Sequence, residues 1–376
     1  MRILLIGEYS NLHATLAIGL RQLGHQVTVA SNGDFWKDYR RDIDISRKSG
    51  GAGGLRLFWK IWRNRHLFEG FDVVQVINPM FVELKADKIF HLYDFLRKNN
   101  GKMVLGAFGM DHYWVNECIT RKHLRYSDFN IGDKLRTDAD AIKEQKEWIG
   151  TDKERLNKYI ANDCDAIVAC LYEYWSCYQP IFPQKTHFIP LPIKIQEHSV
   201  TDMTARQRKI KIFCGVNKTR SEYKGTDIML KAIKKLDADY PGVIDLRIAE
   251  SVPFDEYQSM MDGADIILDQ LYSYTPSMNS LLAMSKGIVC VGGGEPENYD
   301  IICEKELRPV INVFPTEQSV YEEMKKIILN PNIISQLKND SIIYVQKHHD
   351  YMKVAQRYER LYTSLQKKAG NTASPK

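Results

Sequence analysis

Ile210-Lys-Ile-Phe-Cys214-Gly-Val-Asn-Lys218-Thr-Arg220-Ser-Glu-Tyr-Lys224-Gly225-Thr-Asp227 is the stretch on which the reading of this chain turns. Its apolar run Ile210–Cys214 reads as a strand, its cationic middle as a loop, and Thr226–Leu236 repeats apolar residues at helical spacing. Two Lys and one Arg within seven positions, next to a helix start, suit an anion of more than one charge. Cations and oxyanions form charge-assisted hydrogen bonds, and a helix amino terminus adds its dipole and unpaired N–H groups.

Outward from this stretch the same alternation recurs. Downstream come strands Asp245–Ala249, Asp265–Asp269 and Ile288–Val291. Between them lie helices over Phe254–Met261 and from about Ser277. Two helical segments fill Thr316–His349, and Met352–Gln366 forms a last helix. Upstream the order is strand Arg2–Gly7, helix Ala14–Gly24, strand His25–Ala30, strand Asp72–Ile77, helix Leu84–Asn99, strand Met103–Ala107, then strand Asp165–Cys170 and helix Leu171–Pro180. Strands alternating with helices imply parallel sheets covered on both faces. The predicted division is a first α/β domain over 1–192, a linker over 193–209, a second α/β domain over 210–348, a helix over 349–366 and a disordered tail over 367–376.

Composition narrows the class. A chain of 376 residues has room for two cores, and 44% apolar with 26% charged residues is ordinary for a soluble protein. A net charge of +5 suits an anionic ligand or surface but is too diffuse for a nucleic-acid binder. Seven Cys without framework spacing read as reduced thiols, which with the strand-like start Met1–Gly7 points to a cytoplasmic protein without a signal peptide. No apolar run approaches the roughly 18 residues of a spanning helix. No CxxC pair or His-rich cluster suggests a metal.

Ligands of open parallel sheets bind beyond the carboxyl ends of the strands. The first strand is followed by Gly7-Glu-Tyr-Ser-Asn-Leu-His13, with one Gly where a dinucleotide fingerprint needs three, which argues against a nicotinamide-dependent dehydrogenase. In the second half, Thr275 reads as the cap of a helix with Pro276 at its first position, leaving the N–H groups of Ser277 and Met278 for a diphosphate. An ordinary capped helix fits the same residues. Gly292-Gly-Gly-Glu295 follows the next strand; its glycines would let backbone approach a ligand, and Glu295 would accept from a hydroxyl.

Taken together the second half resembles the donor domain of GT-B glycosyltransferases, family 4 in particular. The matching stretches are Gly215–Ala232, Ala264–Leu268 and Leu281-Leu-Ala-Met284-Ser-Lys-Gly287-Ile-Val, while Phe71–Val76 and Leu23–Val29 are usual in that family's acceptor domain. The resemblance implies two Rossmann-like domains facing across a cleft, with a carboxy-terminal helix crossing back. It implies transfer of a sugar from a nucleoside-diphosphate donor to a glycan or lipid-linked hydroxyl, with retention, in cell-surface polysaccharide or glycolipid synthesis. Lys218 and Lys224, with Arg220 as alternative to the first, would neutralise the diphosphate, so that no metal is required. The family's Glu-x7-Glu carboxylates fall on Tyr274 and Leu282, neither of which is a carboxylate. Tyr274, Thr275, Asn279 and Glu295 are the donor sugar and nucleotide candidates. Asp111 and His112, after the strand Met103–Ala107, are the catalytic candidates, and Tyr9, His13 and Tyr113 the acceptor-side ones. A glycosyltransferase-like protein that binds nucleotide or glycan without turnover, and a sugar-nucleotide epimerase, fit the same fold.

Leu55–Phe68 interleaves Phe58, Trp59 and Trp62 with Arg56, Lys60, Arg63 and Arg65, and Arg40, Arg41, Arg47 and Lys48 precede it. It reads either as an interfacial helix resting on the anionic inner face of a membrane or as a helix packed on the sheet.

Overall fold

The computed structural model describes residues 1–195, 209–250 and 252–370, with the side chains of 254, 255 and 367–370 left aside. Most of the expected linker, 196–208, and the end of the expected tail, 371–376, lie outside the described residues. The chain divides into two compact units: one of 1–117, 144–192 and 351–376, the other of 118–143 and 193–350.

The first unit holds β1 (Arg2–Ile6), α1 (Leu12–Gln22), β2 (Gln26–Ser31), β3 (Ile43–Asp44), α2 (Gly53–Arg63), β4 (Val73–Val76), α3 (Ala86–Asn99), β5 (Lys102–Ala107) and α4 (His112–Ile119). After the excursion described below it resumes within α5 (Ala139–Trp148) and continues through α6 (Asp152–Asp163), β8 (Ala166–Ala169), α7 (Tyr172–Tyr178) and β9 (Thr186–Phe188). Its seven strands are parallel in the order β3-β2-β1-β4-β5-β8-β9. The order reverses between β1 and β4, which opens a crevice at their carboxyl ends. Strands buried on both faces explain the apolar runs: Ile3, Leu4, Leu5, Val73 and Val74 have no exposed surface.

The last helix, α15 (Tyr351–Gly370), returns to this first unit and runs four residues beyond the expected Gln366. It lies against α1 at Gly19, where a methyl group would sit 2.6 Å from the Ala355 Cβ, so no side chain fits at 19. His25 Nε2 meets Glu359 at 2.9 Å, and Tyr362 donates to Gln75 Oε1 on β4 at 2.8 Å.

The second unit begins with an excursion that the sequence reading left inside the first domain. Residues 118–143 carry the hairpin β6 (Asn130–Ile131) and β7 (Lys134–Leu135) and the start of α5. The unit continues with β10 (Ile210–Val216), α8 (Ser221–Lys224), α9 (Thr226–Asp239), β11 (Ile244–Glu250), α10 (Phe254–Met261), β12 (Ile266–Leu268), α11 (Met278–Ser285), β13 (Val289–Gly292), α12 (Pro296–Ile301), β14 (Ile311–Asn312), α13 (Glu317–Leu329) and α14 (Ile333–His348). Five strands run parallel in the order β11-β10-β12-β13-β14, with the reversal between β10 and β12. Its core packs Ile212, Cys214, Ile266 and Val289 of the sheet against Met229, Ile233 and Leu236 of α9 and Val320 and Met324 of α13.

Candidate functional site

The second unit gathers its cations at the switch point between β10 and β12. Asn217 ends β10, and its Oδ1 accepts from the Thr219 N–H (3.1 Å) and hydroxyl (2.8 Å), turning the chain into a short 3-10 turn over Lys218–Arg220. Gly225 adopts φ +74° between α8 and α9, where a side chain would also meet Leu271. The Leu271 N–H donates to the Lys224 carbonyl at 3.0 Å, tying this loop to the one after β12. Lys218 and Arg220 are exposed; Lys218 pairs with Glu250 at 3.1 Å, and the Arg220 guanidinium lies 4.8 Å over Tyr223. Lys224 is half-buried and acts electrostatically on Asp269, the residue that follows β12.

Asp269 was not singled out in sequence, since one acid after an apolar run carries no spacing signal. Burial raises its carboxyl above the usual range, opposed by hydrogen bonds from Ser280 and Ser277 and by the Lys224 charge. The Ser277 hydroxyl donates to its Oδ1 at 3.1 Å, and Asp269 Oδ2 is buried without a hydrogen-bond partner among the described residues. Ser277, not Thr275, is the cap of α11: its Oγ accepts from the Ser280 N–H, and Met278 is the first helical residue. Two residues separate the expected cap from the observed one because the Ser273 hydroxyl donates to the Thr275 carbonyl and accepts from the Thr275 N–H, holding Thr275 in a turn before the helix. Thr275 is 3% exposed and shaped by that turn. Asn279 donates to the Tyr257 hydroxyl at 2.7 Å, across the mouth of β10 where Tyr257 lies over Gly215.

The expected sugar end is built differently from its sequence reading. Tyr274 is 1% exposed; its hydroxyl accepts the Arg125 N–H at 2.7 Å, and its ring faces the Arg125 guanidinium at 4.8 Å and Tyr126 at 5.0 Å. Glu295 is 3% exposed, with Oε2 paired to Arg125 at 2.7 Å and Oε1 to the Tyr126 hydroxyl. Arg125 also clasps Glu297 through bonds of 2.6 and 2.9 Å, which with burial opposing holds Glu297 below its usual range. Neither Tyr274 nor Glu295 is an open hydroxyl acceptor; each is capped by the excursion. The glycines of 292–294 are likewise spent internally, since a side chain at Gly293 would collide with the Ser273 carbonyl at 2.5 Å. Farther along the excursion, buried Arg136 stacks 3.5 Å from the Tyr272 ring centre and donates to the Glu222 carbonyl at 3.0 Å, bracing the cationic loop from beneath. Arg125, Tyr126 and Arg136 carry no motif, and nothing local in sequence joins them to residues 150 positions away.

In the first unit, the crevice beside β1 and β4 is a pocket of about 430 Å³ lined by Tyr9, Asp34, Lys37, Asn78, Glu147 and Trp148 among others. Tyr9 is half-buried there. The other candidates of this unit lie inside it. Asp111 is fully buried; its Oδ1 accepts the Trp114 N–H (2.9 Å) and its Oδ2 the Tyr178 hydroxyl (2.8 Å), so it caps α4, and desolvation raises it to about 6. His112 opens α4 with its amide on Asn157 Oδ1, its side chain 4% exposed and Nδ1 3.7 Å from Glu154; burial lowers its pKa. Tyr113 is 5% exposed and packs on Tyr178 at 4.6 Å. His13 is fully buried: Nδ1–H donates to the Gly7 carbonyl at 2.8 Å, Nε2 accepts from Gln75, and burial lowers its pKa to about 4. The missed group here is Glu8, 2% exposed, whose two oxygens accept the His13 and Ala14 N–H groups at the start of α1 while burial pushes it up to about 8. Among the described residues, no cluster of three His, Cys, Asp or Glu is placed to hold a metal.

Solved structures share this architecture over nearly the whole chain. Sucrose-phosphate synthase of Thermosynechococcus elongatus superposes with a TM-score of 0.63 at 12% identity, over 97% of this chain and 99% of that one. HepE of Anabaena, solved with UDP and glucose, gives 0.59 at 11% identity, over 96% and 99%. The chain has the GT-B glycosyltransferase fold. The fold by itself does not choose the reaction. A protein reported as a UDP-N-acetylglucosamine 2-epimerase of Listeria monocytogenes also matches, with a TM-score of 0.54 at 10% identity over 95% of this GT-B chain and 94% of that one. No protein-family profile matches the chain, and no curated protein matches it in sequence.

Proposed function

We propose that the chain transfers a glycosyl unit from a nucleoside-diphosphate sugar to an acceptor hydroxyl. The observation that carries this reading is the convergence at the second unit's switch point. Lys224, whose charge acts on Asp269, and the capped start of α11, through Ser277 on Asp269, lie at the carboxyl ends of β10 and β12, with Lys218 and Arg220 just before Lys224 in the chain. HepE holds UDP and glucose in the same fold, which supports a nucleotide-sugar ligand here.

In this reading Lys218, Arg220 and Lys224 stabilise the leaving diphosphate as charge develops on it. These side chains take the role a bound cation would otherwise fill, so chelation by EDTA leaves nucleotide binding unchanged; an affinity loss of tenfold or more on chelation would remove this assignment. Tyr274, Glu295, Arg125 and Tyr126 form the frame of the sugar end, and acceptor groups enter the first unit's pocket beside Tyr9 and Trp148, where aromatic faces and carboxylates suit a glycan. Asp111, His112, His13 and Tyr113 act in this reading as framework. Retention, a hexosyl donor and a role in cell-surface polysaccharide or glycolipid synthesis follow from the family resemblance.

The test is calorimetric titration with UDP, GDP, ADP and CMP and their sugar conjugates. One nucleoside diphosphate is expected to bind selectively, and Lys224→Ala to weaken it by about 2 kcal/mol, the scale of one charge-assisted bond to phosphate. Binding of none of them would overturn the reading.

A further inference from the structure

Residues 35–68 carry nine Lys or Arg against three Asp, a net +6 where the whole chain carries +5. The protein's excess charge is therefore confined to one segment of the first unit. The three acids are already spent there: Asp42 pairs with Arg21 at 2.5 Å, Asp38 with Arg41 at 2.6 Å, and Asp44 with Arg41 at 3.3 Å and Lys60 at 3.8 Å. Arg40, Arg47, Lys48, Arg56 and Arg63 are exposed and pair with no carboxylate among the described residues. The excess is unneutralised surface charge.

Large apolar side chains stand among these cations. Leu57 and Ile61 turn α2 onto the sheet, 3% and 7% exposed, while Leu55 and Trp59 on its outer side are each 58% exposed. Spacings of three and four place Arg56 and Arg63 on either side of Trp59. Phe35 and Trp36 stand out of a tight turn, 63% and 64% exposed, although Asp34 and Phe35 sit at φ +59°, which side chains other than Gly adopt at a cost. The Asp38–Arg41–Asp44–Lys60 ladder joins that turn to α2.

We propose that the outer side of α2 and the Phe35–Trp36 turn form one docking surface for an anionic lipid bilayer. Exposed Arg and Lys neutralise acidic headgroups while Trp36, Trp59, Phe35 and Leu55 enter the interfacial layer, where Trp is favoured. Duplex nucleic acid, its bases already stacked on one another, would use the charge but leave the aliphatic and indole surface in water. A second copy of the chain would bring like charge against like. The bilayer satisfies both properties at once, and this inference does not depend on the glycosyl-transfer reading.

The test is sedimentation of the full chain with vesicles of phosphatidylcholine alone or with about one third phosphatidylglycerol, in 0.1 M salt. Binding is expected only to the anionic vesicles, falling as salt rises, with a blue shift of Trp emission and quenching by lipids brominated near the headgroup. Arg56→Glu/Arg63→Glu should weaken it by at least about twentyfold, since each charge near the surface contributes about fivefold. Trp36→Ser/Trp59→Ser should abolish the blue shift. All four side chains are exposed, so thermal melts of these variants should match the parent. No binding to anionic vesicles, equal binding to neutral ones, or unchanged binding by both variants would each overturn the proposal. Quenching in the unmodified protein tests it independently of any variant.

Discussion

Replacing Arg125 tests whether the excursion over 118–143 is part of the donor-side frame or merely lies on it. Its guanidinium makes one bond to buried Glu295 and two to Glu297, and covers Tyr274. The Glu297 contacts are partly in water, with the Arg125 side chain 46% and Glu297 26% exposed, so they contribute on the order of 0–1 kcal/mol. Glu295, whose side chain is 4% exposed, is different. Without Arg125 its carboxylate keeps only the Tyr126 hydroxyl and must stay charged in a desolvated place or take up a proton. A full break of a buried pair costs about 3–5 kcal/mol, and Arg125's own exposure brings this to roughly 2–3. Arg125→Met should therefore lower the melting temperature by about 4–10 °C for a unit of this size. The discriminating assay is a double-mutant cycle of Arg125→Met and Glu295→Gln by urea unfolding. A coupling energy of about 1.5 kcal/mol is expected, because the second substitution removes the stranded charge. Coupling within about 0.3 kcal/mol of zero would refute the frame, whatever the single variants do.

Arg136→Lys should cost about 1–2 kcal/mol in the same unfolding assay, because an ammonium keeps the charge but loses the planar stack on Tyr272 and the reach to the Glu222 carbonyl; an unchanged midpoint would mean that charge alone suffices there. Stability should also depend on pH through the first unit. His13 has its pKa lowered to about 4, below the unfolded value, so its contribution is complete above about 6.5 and is lost as pH falls toward 4, at most roughly 3 kcal/mol. Glu8 is raised to about 8, so its contribution runs the other way and is lost as pH rises from about 4.5 to 8. Melting curves of the parent and His13→Gln from pH 4 to 8 should therefore diverge chiefly in shape below 6.5; parallel curves would contradict a buried neutral imidazole.

The elements that came through from sequence are those whose signal is local. Parallel strands buried on both faces are written as apolar runs, so β1, β4, β5, β8, β10, β12 and β13 could be read within a residue or two. The cationic loop could be placed because it directly follows such a run. The region between β5 and β8 was opaque: it holds a hairpin of two-residue strands, two charged helices and the passage into the second unit, none of which has a hydrophobic period long enough to read. The residues at 111–113 carry a related ambiguity in sequence. A polar residue just after a strand is equally a ligand contact or a helix cap, and only the partners of Asp111, a Trp114 N–H and the Tyr178 hydroxyl, distinguish the two.

The missing Glu-x7-Glu carboxylates bear on only one end of the proposed donor site. Positions 274 and 282 belong to the loop after β12 and to α11, whereas the cations belong to the segment after β10, and neither the action of the Lys224 charge on Asp269 nor the Ser277–Asp269 hydrogen bond passes through either position. In the proposed reading phosphate binding and sugar binding therefore rest on separate side chains and can be lost separately. Near Tyr274, Glu295 and Glu297 supply two carboxylates, but Arg125 and Tyr126 occupy them, and Tyr274 is itself capped by the Arg125 N–H. With the arginine side chain 46% exposed and the glutamate 4%, the Arg125–Glu295 pair is open to water on its arginine side only. In the proposed reading a sugar approaches this half-open polar frame from the arginine side, so the sugar end is rebuilt on other side chains and not abandoned.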